Sequence, residues 1–180
     1  VQTCALPIYV GLVGTETPAE IDANKDLLTK LERIRGTGAF RMGMASSPAA
    51  ARSETPATPI LGIVSPPAAY VGHLDGDAVA AEDIDLVSRL LFMQITHKTY
   101  AGTSTACTGV AAKIPGSIVY EALRPEARDR LEIRIGHPAG IIETQSDVVF
   151  GDASRNPGVR RATLGRTARR ILDGTVYLDD

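Results

Sequence analysis

Tryptophan is absent from this chain, and only three Phe and five Tyr occur in its 180 residues, so the interior has to be built from Val, Ile, Leu and Ala. Cysteine is almost absent: Cys4 and Cys107 form neither a disulfide framework nor a zinc-ligand spacing. The three histidines, His73, His97 and His137, are scattered outside any metal-ligand pattern, so no metal site is expected. An excess of charge of one sign is lacking too. With 19 Lys and Arg against 21 Asp and Glu the net charge is −2, which gives no electrostatic reason to expect nucleic acid or an anionic membrane as partner. No run approaches the roughly 18 apolar residues of a membrane span. No basic segment followed by a long apolar one opens the sequence. The expectation is a globular protein of a reducing cytoplasm.

What is present is concentrated in Thr96–Ser117, THKTYAGTSTACTGVAAKIPGS. A polar segment, His97-Lys98-Thr99-Tyr100, runs through Gly102 into an apolar, small-residue helix expected over Ala106 to about Lys113 and stopped by Pro115-Gly116. Such a junction aims backbone N–H groups and hydroxyls at one spot, and the helix dipole favours negative charge there. A carboxylate or phosphate suits it. The plainer alternative is an N-cap made by Thr103, Ser104 or Thr105, worth about 1 kcal/mol.

Around that segment the pattern predicts many strands and few helices. Tyr9–Val13 reads as a strand end, and Ile21 to about Arg35 as a helix with Leu27, Leu28, Leu31 and Ile34 at helical spacing and Asp22 as its cap. The helical pattern resumes over Phe40–Met44. Ser46–Pro59 and Ala68–Ala81 read as loops, Ile60–Val64 as a buried strand and Ile84–Ile95 as a strand. Ser117–Leu123, Leu131–Ile135 and Ile141–Phe150 read as further strands, with a turn at Gly136–Gly140 and another at Asn156-Pro157-Gly158. Ala168–Leu178 carries a hairpin signal around Asp173-Gly174. Arginines 155, 160, 161, 166, 169 and 170 form a basic strip. Without interleaved aromatics it reads as solvated strand faces rather than a nucleic-acid site.

GTETP (14–18), LERIR (31–35) with MGM (42–44), HKTYAGTSTACTGVAAKIPGS, IGHPAG (135–140) and RTARRILDGTVYL (166–178), in this order, resemble the C-terminal part of the PrpF family. That family comprises the 2-methylaconitate and methylitaconate isomerases and the 4-oxalomesaconate tautomerases. The resemblance implies an α+β, diaminopimelate-epimerase-like domain, a mostly antiparallel sheet wrapped around a central helix. It further implies two such domains with the active site in the cleft between them. Residues 9–180 would be the C-terminal domain. No segment matches the other half, where the family's proton-transferring Lys and Cys lie. The first eight residues, VQTCALPI, resemble the translation of a sequencing adapter and are expected to be non-native, or else to form a short strand.

The reaction implied is a cofactor-independent 1,3-proton shift that moves a C=C bond in an unsaturated di- or tricarboxylate. On this reading Gly102, Thr103, Ser104, Thr105 and Ala106 hold a substrate carboxylate, His97 assists, and Arg166 pairs a carboxylate. Lys98 is a neighbour without an assigned role. Cys107 is open to two readings, a thiol activated at a helix start or a small helix residue. His137, before Pro138, is assigned to the turn. The expected partners are the small carboxylate and the remaining domain, with no nucleic acid and no membrane. An amino-acid epimerase of the same fold and a non-enzymatic anion-binding module stay as rival readings.

Overall fold

The computed structural model describes residues 2–150, 157–165, 170–175 and 177. Nine strands, β1 (Gln2–Ala5), β2 (Ile60–Ser65), β3 (Tyr70–Val71), β4 (Ala78–Val79), β5 (Leu86–Phe92), β6 (Ile95–Thr96), β7 (Glu132–His137), β8 (Gly140–Val149) and β9 (Gly158–Leu164), are found among them. Five helices accompany them: α1 (Pro18–Ala23), α2 (Lys25–Arg41), α3 (Ala51–Glu54), α4 (Gly102–Ala111) and α5 (Ile118–Ala122). Seven strands form one sheet in the order β1-β2-β5-β7-β8-β9, with β6 folded back on β5, while β3 and β4 make a separate hairpin. The pairings β1·β2 and β5·β7 are parallel and the other four are antiparallel.

The central strands are covered on both faces, which explains why Ile60–Ser65 and Leu86–Phe92 are unbroken runs rather than alternating ones. One face of β2 and β5 gives Leu61, Ile63 and Leu91 to a core shared with Ile21 of α1 and Leu27 and Leu31 of α2. The other gives Val64, Leu86 and Leu90 to a core with Tyr100, Ala112, Val119, Leu123, Ile133 and Ile135. Helix α4 lies against β8 and β9. The approach is close at Gly109, where a Cβ would sit 2.6 Å from both Thr144 Oγ1 and Ser146 Oγ.

Several expectations are corrected. The helix expected from Ile21 is split at Asn24, whose side chain caps α2 by accepting from Leu27 N at 3.0 Å. Asp22 is therefore not a cap; its carboxylate accepts from Thr96 N and Oγ1 at 2.9 and 2.7 Å. The cap of α1 is Thr17, in a reciprocal box with Glu20 and with Pro18 at the first helical position. Helix α2 runs without interruption through Gly36 and Gly38. Ser117–Leu123 is helical rather than extended: Ser117 caps α5 and Val119, Ala122 and Leu123 pack at helical spacing. Tyr9–Val13 is not a strand, since Pro7–Val10 form a 3₁₀ turn with Ile8 and Tyr9 exposed. The two expected loops contain α3 and the β3–β4 hairpin. Residues 2–5 are the strand β1. Arg160 and Arg161 lie exposed on β9; Arg155, Arg166, Arg169 and Asn156 are outside the described residues. Of the hairpin expected over 168–178, residues 168, 169, 176 and 178 also lie outside the described residues, and residues 170–175, with Asp173-Gly174 among them, carry no strand.

Candidate active site

Strand β6 delivers His97 to one end of α4. The His97 backbone N–H donates to Leu90 O at 2.7 Å, which fixes the chain against β5. Its ring Nδ1 accepts from Thr99 N at 3.1 Å, so the imidazole is folded back on its own segment. Three residues on, Tyr100 is buried and its hydroxyl lies 2.9 Å from both Ser88 Oγ and Thr108 Oγ1. Burial pushes this phenol up to about 12, so it stays protonated and acts as a structural tether for the entry into α4.

Helix α4 starts at Gly102, four residues earlier than the sequence pattern suggests. Its N-cap is Ala101, which offers no side-chain acceptor. Thr103, Ser104 and Thr105 therefore lie inside the first turn and do not cap it. Thr105 N and Oγ1 both donate to Ala101 O, at 2.9 and 3.0 Å. Among the described residues, the backbone N–H groups of Gly102, Thr103 and Ser104 have no acceptor. Three amides without acceptors at the positive end of a helix make a local environment that favours negative charge. Ser104 and Thr105 are buried and Thr103 is exposed.

His137 enters the same region from the end of β7. It is 8% exposed, and its ring centroid is 6.0 Å from that of Tyr100. Its Nδ1 accepts from Ala139 N at 3.2 Å. Burial, and then the positive Arg89 and the rings of His97 and His73, push its pKa down to about 4, so the imidazole is neutral at physiological pH. His73 lies beside it. Its backbone N–H donates to Pro138 O and its Nε2 to Lys98 O, both at 2.8 Å. A cavity of about 820 Å³ is walled here by Thr99, Tyr100, Arg134, His137, Ile142 and Glu143, among others.

The cavity wall holds Thr99, Tyr100 and His137, with His73 bonded to Lys98 O and Pro138 O; His97 and Gly102–Thr105 flank Thr99 and Tyr100 in the chain and are not part of that wall, and His137 and His73 are residues that sequence reasoning left out of the site. His137 had one signal, its place in the IGHPAG string. Cys107 is the sixth residue of α4 and lines a different, apolar groove with Ala106, Val110, Ile114 and Cys4. Both thiols are free. Burial raises the Cys4 thiol above its ordinary value. Among the described residues no three acidic, His or Cys side chains converge as a metal site.

A second charged cluster supports this end of the sheet. Asp85 is fully buried between Arg130 and Arg134, with Arg134 N donating to Oδ2 at 2.8 Å. Burial alone would raise its carboxyl, but the bonds from Arg134 and Arg130 outweigh that and hold it below the usual carboxylate range. The buried Arg89 guanidinium spans Thr15 O and Glu16 O and stacks 4.8 Å over the Tyr70 ring, which fastens the 14–18 loop to β5.

A curled mixed sheet packed on a small-residue helix is the diaminopimelate-epimerase-like arrangement. The chain belongs to the PrpF family, matched as "PrpF protein" over residues 6–179. It is 48% identical over 170 residues to the 3-methylitaconate isomerase of Eubacterium barkeri, covering 94% of this chain and 43% of that protein. It is 35% identical over 169 residues to the 2-methyl-aconitate isomerase of Shewanella oneidensis, covering 93% and 41%. The crystal structure of a methylitaconate-delta-isomerase superposes with a TM-score of 0.81 at 45% identity, over 95% of this chain and 43% of that one. The chain therefore spans a little over two fifths of the length of these relatives.

Proposed function

We propose that residues 9–180 form one domain of a two-domain isomerase that moves a C=C bond in an unsaturated di- or tricarboxylate by a 1,3-proton shift. The observation that carries this is the set of three orphan amides, Gly102, Thr103 and Ser104, at the start of α4. Removing an allylic proton sends negative charge into a conjugated carboxylate. N–H donors already aimed at that charge lower the barrier without reorganisation. His97 stands one short segment upstream as an auxiliary polar group, and the base and acid come from the other domain, as the family resemblance implies. Relatives more than twice as long as this chain support that division. Within the substrate class, methylitaconate is favoured by the 48% identity to a 3-methylitaconate isomerase. The described helices include none long and apolar enough to cross a membrane. Two unbridged thiols accord with the cytoplasm as the location we propose.

The test is turnover of methylitaconate and 2-methylaconitate by the complete protein carrying this sequence, with the double-bond position followed by proton NMR. Interconversion of at least one substrate is expected. No turnover of either by a folded, complete protein overturns the reading.

A further inference from the structure

We propose that His137 is a substrate-facing hydrogen-bond donor of this site, presenting its Nε2–H to a carboxylate oxygen, and that Tyr70 and His73 position it. The inference rests on the isomerase reading above and adds a residue to it. A ring nitrogen that accepts a hydrogen bond carries no proton. The bond from Ala139 N to Nδ1 therefore assigns the proton of the neutral ring to Nε2. Among the described residues Nε2–H has no acceptor, and the largely buried His137 lines the cavity beside Thr99 and Tyr100. A fixed donor on a cavity wall with no protein acceptor is thus matched to a ligand oxygen. The low basicity of the ring excludes the role of general base and keeps the donor in place.

The backbone that carries this ring is held from one side. Tyr70 Oη lies 2.7 Å from His137 O and 2.6 Å from Gly140 O, and a carbonyl can only accept, so the hydroxyl proton is shared between the two. His73 continues the clamp: its N–H donates to Pro138 O, and its ring Nε2–H donates to Lys98 O, next to His97. The hairpin of β3 and β4 therefore ties the segment before α4 to the turn after β7.

The experiment is a titration of the complete ¹⁵N-labelled protein carrying this sequence with methylitaconate, reading imidazole nitrogens and backbone amides together. His137 is expected as the Nε2–H tautomer at neutral pH, with its Nε2–H signal moving as ligand is added. An Nδ1–H tautomer, or an Nε2–H signal that stays put while Gly102, Thr103 and Ser104 amides respond, overturns this inference and leaves the isomerase reading standing. A moving Nε2–H with silent amides keeps the donor and removes the helix anchor. Silence at both loses both. These results come from the unmodified chain and need no variant to fold. Tyr70→Phe, which keeps the ring under Arg89, tests the clamp: the His137 ring is expected to populate both tautomers, and an unchanged spectrum rules Tyr70 out as a positioning residue.

Discussion

His137 sets a measurable pH signature at the scale of a single residue. Its folded pKa is about 4, while an unfolded histidine titrates near 6.5, so between these values the unfolded chain binds more protons than the folded one. Stability is therefore expected to fall as the pH drops from about 6.5 towards 4, and to level off with respect to this group below that. His137→Gln should flatten that part of the profile, measured as the urea midpoint against pH. A variant with the same slope as the parent would show that the imidazole is not buried in its neutral form. Asp85 acts in a lower window. Its carboxyl is held below the ordinary value, so its contribution is present above about pH 4 and is lost as the pH falls through the depressed value. Asp85→Asn is expected to cost about 2–3 kcal/mol at neutral pH, discounted because Arg130 and Arg134 are partly exposed, and to soften the acid limb of the same curve.

Among the elements, α4 decides the site, and Gly109 decides how α4 sits. Alanine is the better helix former by about 1 kcal/mol. The new Cβ would nonetheless fall 2.6 Å from Thr144 Oγ1, which donates to Thr163 O at 2.6 Å and is not free to turn away. Overpacking of this kind costs about 1–3 kcal/mol. Gly109→Ala is thus expected to lower stability by up to about 2 kcal/mol, and a rise in melting temperature would contradict the close packing of α4 on β8. The elements also show what the sequence could reveal. β2 and β5 are legible because strands covered on both faces need unbroken apolar runs. α5 is not, because Ile118-Val119-Tyr120 is too short to separate a period of two from one of 3.6. Asp22 was read as a local cap, and its partner Thr96 lies 74 residues away. The helix α4 is legible but its start is expected four residues late, since Gly102 and three hydroxyl residues look like a loop when taken one at a time. Tyr70 meets His137 across 67 residues, and no local pattern announces that pairing.

Taken whole, the chain offers half of a chemistry. On the proposed function it supplies the carboxylate anchor and the His137 donor, and the family resemblance assigns proton transfer to a lysine and a cysteine of the other domain. The 180-residue chain alone is therefore expected to fold and to leave methylitaconate unchanged. Turnover by the purified chain, free of host isomerase, would contradict the two-domain account. The central claim, that the start of α4 anchors a substrate carboxylate, is tested most directly at Gly102 in the complete enzyme. Ala101 already has the extended backbone that precedes a proline, at φ −70° and ψ 135°. Proline at the first helical position needs no N–H and its fixed φ suits that position, so Gly102→Pro removes one orphan amide while keeping a helix-compatible backbone. Melting temperature should hold or rise while kcat/KM for methylitaconate falls by about 10²–10³, the usual loss for one oxyanion-type donor. Unchanged kcat/KM in a folded Gly102→Pro enzyme would contradict the account.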